Sequence, residues 1–236
     1  MEALLKNLRI NYFETGSGKP LLVLHGWGSN AERWRQVAEI LGKKGYRVFV
    51  PDLPGFGKSQ EPDAVWGLDE YVLFVNDFAE TLGLDKFFLL GHSFGGALAC
   101  KFALKYPQKI EKLFLVAAAC IREKTQKKKI LKVLSFFKFV PFARRFFYRF
   151  VLKSDYPETK GIMREIFLKV IKDDLSEELS KINLPTVIVW GDKDGVTPLW
   201  QGRLINSKIK NSELFVIERQ NHALQITVPE ELCSYF

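Results

Sequence analysis

The 236-residue chain has few of the side chains that bind metals or staple small folds: three histidines and three cysteines. Cys100, Cys120 and Cys233 are scattered, odd in number and form no C-x-x-C pair. That spacing excludes a disulfide framework and a zinc site built from clustered thiols. A reduced, cytoplasmic setting is expected, with no metal and no cofactor. No segment approaches the roughly 20 uninterrupted apolar residues of a bilayer span, and residues 1–6 lack the apolar run of a signal peptide. No repeat and no low-complexity tract marks a linker. What is present is apolar bulk: 47% hydrophobic and 14% aromatic residues, enough for one sizeable core.

The net charge of +8 is unevenly placed. Residues 122–153 hold eleven basic side chains against one acid, Glu123, a local net of +10 that leaves −2 for the rest. A nearly neutral body with one strongly basic segment is expected, not a uniformly basic nucleic-acid binder.

Short apolar runs alternate with amphipathic stretches, the pattern of a largely parallel sheet covered by helices. Strands are predicted at residues 8–14, 21–24, 47–50, 87–90, 113–116, 186–190 and 214–217, with helices at 31–41, 68–82 and 97–106. Gly16-Ser17-Gly18-Lys19-Pro20 predicts a hairpin between the first two strands, so the sheet begins antiparallel. Pro229 is suited to open a last short helix. Between 119 and 183 the alternation stops and helical patterns follow without a strand. Such an insertion reads as a cap over the carboxyl ends of the strands, where parallel sheets bind ligands.

Gly91-His92-Ser93-Phe94-Gly95-Gly96 follows a predicted strand and opens a helix, the context that a G-x-S-x-G nucleophile elbow requires. The turn is strained, its glycines avoid a clash two residues away, and the serine hydroxyl is thrust out at the positive end of a helix. The bland alternative is a glycine-rich turn with a capping serine. A serine needing an imidazole base has only His25, His92 and His222. His92 is adjacent to Ser93 on the turn and His25 has no acid placed to orient it, so elimination favours His222.

His25-Gly26-Trp27-Gly28, straight after a strand, and the elbow together make the chain resemble the α/β-hydrolase family over nearly its whole length. The resemblance implies the α/β-hydrolase fold: a mostly parallel sheet flanked by helices, with a helical cap inserted between two strands. The core is then residues 1–118 and 184–236, and the basic, aromatic cap is 119–183. It also implies an oxyanion hole from the amides of Trp27 and Phe94, a structural His25, and His92 as a wall residue. Asp52-Leu53-Pro54-Gly55-Phe56-Gly57-Lys58-Ser59 matches a family loop and is assigned architecture. The family's triad acid falls in Gly191-Asp192-Lys193-Asp194-Gly195-Val196-Thr197-Pro198, where motif register favours Asp194 over its competitor Asp192. With Asn221-His222-Ala223 after the last strand, the order is Ser93, Asp194, His222. A serine at the elbow argues against the haloalkane dehalogenase and epoxide hydrolase branches, which use a carboxylate nucleophile.

The basic segment is crowded with phenylalanines, of which Phe137, Phe142 and Phe146 are the candidate substrate-binding residues. Three readings of the cap stand open: an apolar acyl pocket with solvated charges, docking of an acidic carrier protein, or contact with an anionic membrane surface. The second has a hint of its own, since residues 25–32 and 52–59 are similar to the pimeloyl-acyl-carrier-protein methyl ester esterases. The expected activity is carboxylesterase-like: hydrolysis of a small or medium carboxylic ester or thioester through an acyl-serine. The alternatives are carbon–carbon bond hydrolysis of a dienoate ring-cleavage product, and a non-catalytic ligand-binding or docking protein on the same fold.

Overall fold

The computed structural model describes residues 1–122 and 161–236. Among the described residues, eight strands form one sheet: β1 (Glu2–Leu5), β2 (Leu8–Thr15), β3 (Lys19–Leu24), β4 (Tyr46–Pro51), β5 (Phe87–His92), β6 (Ile110–Val116), β7 (Thr186–Gly191) and β8 (Ser212–Ile217). Their spatial order is β1-β2-β4-β3-β5-β6-β7-β8. The β1–β2 and β2–β4 pairs are antiparallel; every pairing from β4 to β8 is parallel. The sheet does begin antiparallel, but the expected hairpin is not there. β4 lies between β2 and β3, so those two strands do not pair. The hairpin is instead β1–β2, closed by Lys6 and Asn7, both at positive φ (45° and 71°).

The central strands are apolar on both faces because helices cover both faces. Successive strand residues point to opposite sides. Leu22, Leu24, Leu89, Leu113, Leu115 and Ile188 enter one buried cluster, and Leu21, Val23, Leu90, Phe114, Val116 and Val189 the other. The first face is covered by α2 (Leu68–Thr81) and α3 (Phe94–Lys105), the second by α1 (Arg35–Lys43). The described part of the segment between β6 and β7 contains α4 (Gly161–Val170) and a 3-10 turn at Leu179–Lys181. It is tied back to the strand-end loop after β6. The Leu175 amide donates to the Cys120 carbonyl at 2.9 Å, and the half-buried Arg122 guanidinium donates to the Ile171 carbonyl at 2.9 Å. Basic groups satisfy and stabilise a helix's carboxyl end in this way.

Three helices follow: α5 (Leu199–Lys208), α6 (Leu224–Thr227) and α7 (Pro229–Cys233). α7 has Pro229 in its first turn, as expected, and docks on α1. Leu232 and Cys233 are fully buried, and Lys44 donates to the Cys233 carbonyl. No described helix is long and apolar enough to cross a membrane.

Candidate active site

The loops that follow β3, β5, β7 and β8 all leave the same, carboxyl edge of the sheet, because those strands run parallel and in register. The β5 loop is the elbow. Ser93 joins β5 to α3 with φ 53° and ψ −115°, a conformation that costs a non-glycine residue roughly 1–3 kcal/mol. Three amides, those of Gly96, Ala97 and Ala119, donate to the Ser93 carbonyl, and its own amide donates to Val116, which holds the turn. The glycines are required as expected. A Cβ on Gly91 would collide with the Gly95 carbonyl oxygen, and one on Gly95 would collide with that of Leu24. The amide of Phe94 opens α3, where no preceding helical carbonyl can satisfy it.

The His25-Gly26-Trp27 loop lies directly against this turn. A Cβ on Gly26 would stand 3.2 Å from Ser93 Cβ, and the Trp27 and Phe94 rings meet edge-on at 5.3 Å. Trp27 and Phe94, the two residues expected to supply the oxyanion hole, are thus neighbours, each next in the chain to a residue of this contact. His25 is a fixture. The Leu53 amide donates to its Nε2 at 2.9 Å, so its Nδ1 carries the proton and donates to the Gly26 carbonyl at 2.8 Å. Burial pushes its pKa down to about 4, keeping it neutral.

On the other side, Asp194 and His222 come together. Asp194 is buried, with Oδ1 accepting from the amides of Val196 and Thr197. Its Oδ2 accepts from the Thr197 hydroxyl at 2.8 Å and from His222 Nδ1 at 2.7 Å. Burial alone would raise the Asp194 pKa; the His222 ring and the Thr197 donors outweigh it and hold the carboxyl below its ordinary value. With Nδ1 committed as donor, the neutral His222 ring has its lone pair on Nε2. Its side chain is 19% exposed, so the ring is open at the edge of the site. Asp192, the competitor, makes no such contact: its amide donates to Ile217, and its Oδ1 has no partner among the described residues.

His92 is more than the wall residue the resemblance implied. It is buried, its Nε2 donates to the carbonyl of His222 at 2.9 Å, and the two rings lie 4.8 Å apart. Asp52 has the architectural place expected of it. Its carboxylate accepts from the amides of Ala31 and Lys58 and from the Asn11 side chain, joining β2 to the segments that follow β3 and β4.

An aromatic wall adjoins the elbow. Phe56 packs against Trp27 at 4.8 Å, Phe167 of α4 against Trp27 at 5.1 Å, and Tyr71 against Phe94 at 5.2 Å. Sequence reading missed Phe56 and Phe167 as wall residues, and Thr197 as a partner of the acid. Thr197 had a signal, since a hydroxyl residue three positions after an aspartate often closes a local side-chain-to-backbone turn. The two phenylalanines had none beyond being apolar. The candidate substrate-binding residues Phe137, Phe142 and Phe146 lie outside the described residues. Among the described residues, no three histidine, cysteine, aspartate or glutamate side chains gather as a metal site would need.

Comparison with known proteins agrees with this architecture. The family model of the alpha/beta hydrolase fold matches residues 19–155, more than half of the chain. The chain belongs to the α/β-hydrolase fold family. Two curated relatives of this hydrolase chain bear different names. It is 30% identical over 253 residues to a 2-hydroxy-6-oxo-6-phenylhexa-2,4-dienoate hydrolase of Burkholderia cepacia, covering 94% of this chain and 87% of the relative. It is 29% identical over 244 residues to a pimeloyl-[acyl-carrier protein] methyl ester esterase of Vibrio campbellii, covering 92% and 93%. Among solved structures, a membrane phospholipase A described as a bacterial virulence factor superposes with a TM-score of 0.80. It is 26% identical, over 99% of this hydrolase chain and 83% of that one.

Proposed function

We propose that the protein is a serine hydrolase acting on a small or medium carboxylic ester or thioester, with Ser93, Asp194 and His222 as its catalytic triad. The observation that carries this reading is the 2.7 Å His222–Asp194 pair on the same sheet edge as a serine at positive φ. His222 Nε2 takes the Ser93 hydroxyl proton as Oγ attacks the acyl carbon. The oxygen that gains charge is met by the amides of Trp27 and Phe94, donors of a kind worth about 3 kcal/mol each in such sites. The C–O or C–S bond then breaks, and the His222 imidazolium gives its proton to the leaving group. Water, deprotonated by the same ring, attacks the acyl-Ser93 carbonyl; the C–Oγ bond breaks, the acid leaves, and the imidazolium returns its proton to Ser93 Oγ. Asp194 holds the Nδ1–H tautomer and balances the imidazolium. The aromatic wall of Trp27, Phe56 and Phe167 suits an apolar acyl group.

A second reading, carbon–carbon hydrolysis of a dienoate, is supported by the similarity to the Burkholderia enzyme. The +10 charge of residues 122–153 supports an acidic partner, either a carrier protein or an anionic membrane surface, in a cytoplasmic setting. Binding to either should weaken steeply with salt.

Intact-mass analysis after incubation with a fluorophosphonate, on wild type and Ser93→Ala, tests the main reading. One adduct on wild type and none on the variant is expected. No adduct on folded wild type would reject the triad and favour a ligand-binding protein.

A further inference from the structure

His92 stands between the two loops that carry reacting groups in the proposed reaction. One edge of its ring faces the oxyanion side: a Cβ on Gly26 would lie 3.0 Å from His92 Nδ1. The opposite edge donates from Nε2 to the backbone carbonyl of His222. The Trp34 ring, fully buried, packs at 5.7 Å and closes the space behind it. His92 is itself 5% exposed, and Nδ1 has no partner among the described residues.

A carbonyl oxygen only accepts, so the 2.9 Å contact fixes His92 as the Nε2–H tautomer. The charged groups around it keep that state. Burial lowers its pKa most and the neighbouring His222 ring next; the hydrogen bond to the His222 carbonyl and the Asp194 charge act the other way, His25 lowers it a little further, and the result is about 3. A neutral ring here matters electrostatically. A cation 4.8 Å from His222 would repel the imidazolium that must form there during acyl transfer.

The same contact matters geometrically. His222 lies in the coil between β8 and α6, so no regular ladder fixes its backbone. Asp194 anchors its ring at Nδ1, and His92 anchors its main chain. Together they define where Nε2 stands relative to Ser93, the residue next to His92 in the chain. Misplacement of a catalytic group by about 1 Å can cost on the order of 100-fold in rate.

We propose that His92 is a positioning residue, which couples the His222 loop to the elbow and to the Gly26–Trp27 loop by donating Nε2–H to the His222 carbonyl. The inference rests on the serine-hydrolase reading for its kinetic consequence, though not for the hydrogen bond itself. The step lost without it is the alignment of Nε2 with Ser93 Oγ, not substrate binding.

Three full-length variants and one spectrum decide this. In His92→Phe the ring volume stays and the donor goes. In His92→Gln the amide nitrogen reaches about as far as Nε2 and can restore the bond. In His92→Asn the side chain is too short to do so. Fluorophosphonate labelling of Ser93 should slow by about 10- to 100-fold in the Phe and Asn variants, and recover to within about threefold of wild type in Gln. On a turned-over ester, kcat should carry the loss with KM nearly unchanged. Labelling of His92→Phe at the wild-type rate, or of His92→Gln as slowly as His92→Phe, would overturn the proposal. Nitrogen-15 histidine spectra of wild type cover the case in which the variants do not fold. A neutral Nε2–H ring at position 92 from pH 8 to pH 5 is expected, and an Nδ1–H ring or titration near the ordinary value would overturn it. An unlabelled wild type would reject the triad reading instead, with the spectra still deciding the tether.

Discussion

Two buried aspartates serve loops at the same edge of the sheet, each with a histidine nearby, and the two regions are built to different ends. Around Asp52 both the carboxylate and the neighbouring imidazole are committed to the chain itself. The carboxylate accepts from Ala31, Lys58 and Asn11, and both nitrogens of His25 are bonded to backbone, to Gly26 and Leu53. Around Asp194 the carboxylate is equally well served, but His222 is bonded through Nδ1 alone and remains partly exposed. A ring saturated by backbone partners and stripped of water is a fixture. A ring held at one nitrogen and open at the other can move a proton. The difference between architecture and chemistry here is one uncommitted nitrogen.

The largest effect that could break this contrast is on rate. His222→Ala should reduce ester turnover about 10⁴-fold or more while leaving denaturant stability within about 1 kcal/mol. His25→Ala should do the reverse, with a stability loss of about 2–4 kcal/mol from two broken buried hydrogen bonds and a cavity. Similar stability losses in the two variants would erase the distinction. Next in size is the pair of aspartates on one loop. Asp194→Asn should cost about 10³- to 10⁴-fold in kcat by disturbing the His222 tautomer, and Asp192→Asn less than about threefold. A loss in Asp192→Asn as large as in Asp194→Asn would move the acid.

A smaller effect sharpens the fixture side. His25 and His92 have pKa values lowered to about 4 and about 3, so between those values and the ordinary 6.5 the unfolded chain binds more protons than the folded one. The stability they contribute is whole above pH 6.5 and is lost as pH falls towards 4 and 3. Each histidine should remove about 2 kcal/mol between pH 6.5 and pH 5. Urea titrations at several pH values should show that slope, and His25→Gln should be flatter; an unchanged slope would mean that His25 is not the protonating group. The smallest expected effect lies on the aromatic wall. Phe167→Ala should shift the acyl chain-length preference by about 3- to 10-fold, read as a ratio of kcat/KM values across an ester series. An unchanged ratio would place the acyl group elsewhere.

Legibility followed burial. β5 and β7 are fully buried, as are the last four residues of β3, and all three stand out as apolar runs. β1 is a partly exposed edge strand, and its turn at Lys6-Asn7 contains no glycine to announce two positive φ values, so it left no mark. α5 escaped because the residues it buries, Gln201, Gly202 and Ile205, carry little apolar pattern. α3 starts three residues earlier than its periodicity predicts, since Gly95 and Gly96 are poor helix formers kept for close packing. The β2–β3 connection reads as a hairpin for a sound local reason, and is wrong because a strand from further along the chain pairs between them. Local turn chemistry cannot see a long-range partner.

By itself the sequence determined the fold class and the elbow. Strand periodicity and the spacing of glycines around Ser93 are local properties, fixed by sterics within a few residues. The candidate acid and base could be named from sequence only by register and elimination. Which aspartate meets His222, that Thr197 serves the same carboxylate, and that His92 holds the His222 main chain were decided only by tertiary structure. Those pairings join residues up to 130 positions apart, brought within hydrogen-bonding distance by parallel strands whose ends align.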